Sequence, residues 1–175
     1  VAVTRTPGLS VVAHSMGNLL TVEAMRQDQL QTGFDSSGKL KNIILASPDI
    51  DVDLFKRQLS VFPKDARKFY VLISADDKAL SVSRRLAGGV NRVGNDDAED
   101  LAELGVTVID LTQIDDTNSL NHGKFADSPE IVQLIGKRLN EGDSLSAQTS
   151  GGMISNVTGA AQVLTGGGGN IVVFN

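Results

Sequence analysis

Four short runs that are apolar along nearly their whole length organise this chain, and a parallel sheet covered on both faces accommodates them best. They are Leu9-Ser10-Val11-Val12-Ala13, Asn42-Ile43-Ile44-Leu45-Ala46, Phe69-Tyr70-Val71-Leu72-Ile73 and Val106-Thr107-Val108-Ile109-Asp110-Leu111. A strand with one wet face would alternate apolar and polar residues, and these do not. Helical patterns fill the intervals: an apolar face from 18 to about 30, a short helix over 51–59, another beginning at 81–86, and a last one to about 139. Ser128 caps that last helix, and Pro129 occupies its first position. Strand and helix thus alternate four times, which predicts the α/β class: a three-layer α/β/α domain with a mainly parallel sheet. Chemistry in such sheets gathers at the carboxyl ends of the strands.

The first strand runs into Ala13-His14-Ser15-Met16-Gly17 and then into a helix, the setting of a nucleophile elbow. Small residues two before and two after Ser15 are expected to let strand and helix approach closely. Ala13 stands where glycine is commoner. The helix that follows aims its amino-terminal dipole at the site, and the Met16 N–H is placed to donate to a developing oxyanion.

A serine hydroxyl needs a base, and the chain has only two histidines. His14 adjoins the serine and would point to the other side of an extended segment, so it suits a pocket wall. His122, in a loop after the last strand, lies at the same sheet edge as the elbow and is the candidate base. The acid that orients it should sit at another strand end. Asp77 is the first choice and Asp76 the next, with Asp49 and Asp51 after the second strand behind them; each is otherwise a solvated loop acid capping a helix. His14, Asp49 and Asp76 are candidate pocket residues. The order Ser15, Asp77, His122 is that of α/β-hydrolases.

The segments Val12-Ala13-His14-Ser15-Met16-Gly17-Asn18, Ala46-Ser47-Pro48-Asp49-Ile50-Asp51, Ser74-Ala75-Asp76-Asp77 and Asn121-His122-Gly123 resemble the bacterial α/β-hydrolases of unknown function called DUF900, an esterase- and lipase-like family, over about residues 9–139. The resemblance implies an α/β-hydrolase fold with a Ser-Asp-His site on Ser15, Asp77 and His122, and no assigned substrate. A complete fold of this kind has strands before its elbow, and a loop there supplies a second oxyanion donor. Residues 1–140 are therefore expected to form the C-terminal half of such a domain, lacking its first strands. Eight of the 18 glycines fall in the last 35 residues, so 141–175 is expected to be a flexible Gly/Ser-rich tail, with Ile171-Val172-Val173-Phe174 as a candidate edge strand.

The expected activity is hydrolysis of a small carboxylic ester without a cofactor. A net charge of −5 and the lack of a dense basic cluster count against nucleic acid. Two histidines and no cysteine leave few metal-ligand sets. Gly166 to Gly169 lacks the Lys-Ser/Thr ending of a phosphate loop, and Gly88-Gly89 marks a helix end. No apolar run reaches the roughly 18 residues that span a bilayer. Compartment stays open, cytoplasmic or exported through an upstream signal, as does oligomeric state. The competing expectation is a binding or assembly module on the same fold, in which the three residues would fail to converge or the pocket above them would be filled.

Overall fold

The computed structural model describes residues 5–64, 68–114, 120–128, 131–133 and 135–136, and the strands within 155–174, with side chains there only from 171 to 174. In chain order the elements are β1 (Leu9–His14), α1 (Gly17–Thr32), β2 (Leu40–Ala46), α2 (Val52–Leu59), β3 (Phe69–Ile73), α3 (Lys78–Leu86), a 3-10 turn (Val93–Asn95), α4 (Ala98–Ala102), β4 (Thr107–Asp110), α5 (Lys124–Asp127), β5 (Ser155–Thr158), β6 (Ala161–Gly166) and β7 (Gly169–Phe174). Residues 131–133 and 135–136 are also helical. The Ser128 carbonyl accepts the Val132 N–H at 3.1 Å, so this helix opens at the expected place. Pro129 and its expected end near 139 lie outside the described residues.

One sheet runs in the order β1-β2-β3-β4-β7-β6-β5, and its first four strands are parallel. Strand periodicity explains its two apolar faces. Ala13, Ile43, Leu45, Phe69, Val71, Ile73 and Val108 face one side, where Val22 of α1, Phe55 of α2 and Leu101 of α4 cover them. Their sequence neighbours Ile44, Ala46, Leu72 and Ile109 face the other side and pack with Ile131. Helices on both faces make three layers, as the wholly apolar strands require. Phe34, Phe62 and Phe69 close one end of the first cluster, with edge-on ring pairs at 4.9 and 5.4 Å.

Two expectations change. Residues 171–174 are no edge strand: β7 pairs antiparallel with β4 on one side and β6 on the other, and β5 lies beyond β6. Alternation explains why β7 belongs inside the sheet. Ile171 and Val173 join the second cluster while Phe174 packs on the first. Gly166 and Gly169 form the last pair of the β6–β7 ladder; residues 141–154, 159–160, 167–168 and 175 of the expected tail lie outside the described residues. The second change concerns α3, which begins at Lys78, three residues before the expected start, because Asp77 caps it by accepting the Leu80 N–H at 2.9 Å.

Gly94 locks the loops above the sheet. Its N–H donates to the Pro48 carbonyl at 2.9 Å, and its carbonyl accepts from Ser74 at 2.8 Å. A Cβ there would meet backbone atoms of Ser47 and Pro48 at 2.8 Å, so only glycine lets the 93–95 turn wedge between the ends of β2 and β3.

Candidate active site

Ser15 occupies the turn from β1 to α1 with φ +53, a left-handed conformation costly for any residue with a Cβ. Several hydrogen bonds hold it there. The Ser15 N–H donates to the Ala46 carbonyl at 3.0 Å, and the Ser15 carbonyl accepts from the N–H groups of Asn18 at 3.1 Å and Asp49 at 3.4 Å. The Asn18 side chain, wholly buried, adds two more from Nδ2, to the Ser15 carbonyl at 2.8 Å and the Ala46 carbonyl at 2.9 Å. Asn18 thus ties the Ser15 turn to β2, a role the sequence reading missed. Its one signal was an amide in the first turn of a helix, where such side chains bond backbone instead of solvent. The Asn18 Oδ1 has no partner among the described residues.

The expected close packing of strand and helix holds at Ala13, which is buried, but fails at Gly17. A Cβ at Gly17 would meet nothing within 4 Å, so crowding by the described residues does not explain that glycine. The Met16 N–H has no acceptor among the described residues, which leaves it available to an oxyanion.

The histidine arrives from the other side of the site. Asn121 takes φ +56 and turns the chain, and the His122 carbonyl accepts from His14 Nε2 at 3.1 Å and from Ser47 Oγ at 3.2 Å. These bonds hold the His122 backbone against the residues beside Ser15 and at the end of β2. The two imidazole rings lie 4.7 Å apart, and Phe125 flanks His14 at 5.1 Å. His122 Nδ1 donates to Asp77 Oδ2 at 2.7 Å, which fixes the tautomer with a lone pair on Nε2. Asp77 is fully buried and divides its oxygens, one capping α3 and one holding the imidazole. The hydrogen bond that His122 donates to Asp77, opposed by burial and reinforced by the charges of Asp77 and Asp49, raises the His122 pKa above that of an ordinary imidazole. Ser15 Oγ makes no hydrogen bond to His122 in this structure; such contacts are commonly looser without substrate.

The other candidate acids are engaged elsewhere. Asp49 accepts from Ser83 Oγ with both oxygens, at 2.8 and 2.9 Å, and pairs with Arg92 Nε at 3.3 Å. Asp51 caps α2 by accepting the Leu54 N–H at 2.7 Å. Asp76 binds Lys124 at 2.7 Å, so neither Asp49 nor Asp76 is a free pocket wall, whereas His14 is exposed beside Ser15. Among the described residues no group of three or more His, Cys, Asp or Glu could hold a metal ion, and no helix is long and apolar enough to cross a membrane.

An elbow serine at one strand end, a buried aspartate at another and a histidine bonded to that aspartate suit acyl transfer chemically. No curated protein and no solved structure matches the chain. The family described as alpha/beta hydrolase of unknown function (DUF900) matches residues 3–138, and the chain belongs to that family.

Proposed function

We propose that this chain is a serine hydrolase acting on a small carboxylic ester, with Ser15 as nucleophile, His122 as base and Asp77 as orienting acid. The observation that carries the reading is the 2.7 Å contact between His122 Nδ1 and the fully buried Asp77, in a loop bonded to the residues around Ser15.

In this mechanism Ser15 Oγ attacks the carbonyl carbon while its proton passes to His122 Nε2. The carbonyl oxygen becomes an oxyanion, and the Met16 N–H donates to it. The intermediate collapses, the C–O bond to the alcohol breaks, and His122 returns the proton to the departing oxygen. Water then repeats the sequence on the acyl-enzyme, releasing the acid and restoring Ser15. Asp77 stays ionised and keeps the imidazole in the required tautomer. No cofactor enters any step.

A fluorophosphonate probe tests this directly on the chain and on the longest form its gene encodes, with the adduct located by mass spectrometry. The expected result is labelling at Ser15 that Ser15→Ala removes and His122→Ala reduces by a factor on the order of 10³ or more. Absence of labelling in demonstrably folded protein would overturn the reading and favour a binding or assembly module on the same fold.

A further inference from the structure

Lys124 lies two residues beyond His122, and its side chain is only 3 % exposed. Burying an ammonium costs several kcal/mol unless its donors are matched. Here Nζ donates to both Asp76 oxygens, at 2.7 and 2.9 Å, and to the carbonyls of Leu111 at 3.2 Å and Thr112 at 3.1 Å. The ammonium therefore ties the end of β4 to the loop that carries Asp77.

Asp76 gathers the remaining strands of this knot. It accepts from Ser74 Oγ in its own loop and from Asn121 Nδ2 at 2.7 Å. Asn121 immediately precedes His122, so both flanks of the histidine are bound to the residue next to Asp77. Burial alone would raise the Asp76 carboxyl, but hydrogen bonds from Lys124 and Ser74 and the Lys124 charge outweigh it and hold the group below the ordinary aspartate range.

We infer that Lys124 and Asp76 form a clamp that sets His122 against Asp77, acting as positioning residues for the hydrolase proposed above, on which this inference rests for its catalytic consequence. The groups facing His122 are Asp77, Asp49 and the ring of His14. The clamp touches the flanks of His122, Asn121 and Lys124, and not its ring, so the inferred action is through geometry. A misplacement of about 1 Å can cost on the order of 10²-fold in rate.

Opposite changes of charge separate geometry from electrostatics. Lys124→Met removes a positive charge and Asp76→Asn a negative one, yet each breaks the clamp. The His122 imidazole is titrated by NMR in both variants, in Asp77→Asn as reference and in His122→Ala to assign the signal, and fluorophosphonate labelling rates are measured alongside. The expected result is that both variants move the His122 titration down, toward that of Asp77→Asn, and slow labelling by about 10- to 10²-fold. A folded variant with unchanged titration and labelling would overturn the clamp, as would shifts of opposite sign that follow the charge removed. If Lys124→Met does not fold, Asn121→Gly carries the test: it removes the flanking hydrogen bond to Asp76 with no change of charge, at a φ of +56 that glycine adopts freely, and the same downward shift is expected. Wild-type protein that resists labelling while both variants still shift His122 would sink the hydrolase reading and leave the clamp standing.

Discussion

The two halves of the site are held in place by different kinds of force. The Ser15 turn is fixed by backbone hydrogen bonds and one neutral amide, the buried Asn18, where β1, β2 and α1 meet. The His122 loop has neutral anchors at its carbonyl, from His14 and Ser47, but its ring and flanks are held by carboxylates, Asp77 on the ring and the Lys124–Asp76 pair beside it. The position of Ser15 is therefore expected to be insensitive to pH in the ordinary range, and that of His122 to depend on charges staying in place. The contrast suits the roles proposed above, in which the serine is held in a strained conformation and the imidazole gains and loses a proton without moving.

The largest break in that comparison is on the charged side. Asp77→Asn should preserve the shape of the site but lower labelling of Ser15 by up to about 10⁴-fold, through loss of the tautomer that leaves Nε2 free. The pH dependence follows from the raised His122 pKa, because only the neutral imidazole accepts a proton. The acid limb of wild-type labelling should lie above the ordinary imidazole range, and in Asp77→Asn it should move to lower pH. Stability has the matching sign: the folded-state value exceeds the unfolded one, so the pair's contribution is whole below the ordinary range and is lost as pH rises through the folded value. Labelling that keeps its wild-type acid limb in Asp77→Asn would show that another group controls the base.

A break on the neutral side should be smaller and should leave the pH profile alone. Asn18→Ala strips donors from the Ser15 and Ala46 carbonyls, and denaturant unfolding should show a loss of about 1–3 kcal/mol. Its labelling rate should fall without displacement of the acid limb; a displaced limb would mean that the two halves are coupled. The smallest effect sharpens the comparison through two glycines. Gly17→Ala, where a Cβ meets open space, should change stability by no more than about 1 kcal/mol, in the stabilising direction. Gly94→Ala, which drives a methyl into the backbone of Ser47 and Pro48, should cost about 1–3 kcal/mol. Equal effects at the two positions would contradict the packing described for the loops above the sheet.

The same division governs what could be read from the sequence. β1 to β4 and the helices between them were legible because burial on both faces leaves a run such as Ile43-Ile44-Leu45-Ala46 with no polar alternate. β7 is also covered on both faces, Ile171 and Val173 buried and Phe174 partly so, but a glycine-rich approach to it obscured the signal. The 93–95 turn, α4 and α5 went unread because they span only three to five residues each, little more than one turn, too short to show a periodicity. Of the site, the order of Ser15, Asp77 and His122 was visible, since each follows a legible strand. Lys124 was not, because a lysine in a polar loop has the sequence signature of a surface residue, and only three-dimensional placement brings it to Asp76. Asn18 was hidden for the same reason: nothing in the chain says which face of α1 meets the turn.

Asp77 spends one oxygen on α3 and the other on the imidazole, so the integrity of a helix end and the readiness of the base share one carboxylate. Fraying of the first turn of α3 releases the Leu80 amide to solvent and frees the aspartate to rotate away from His122 in the same opening event. Hydrogen exchange at that single amide is therefore expected to gauge how often Asp77 lets go of His122 and, for the hydrolase proposed above, how much of the protein is poised to react.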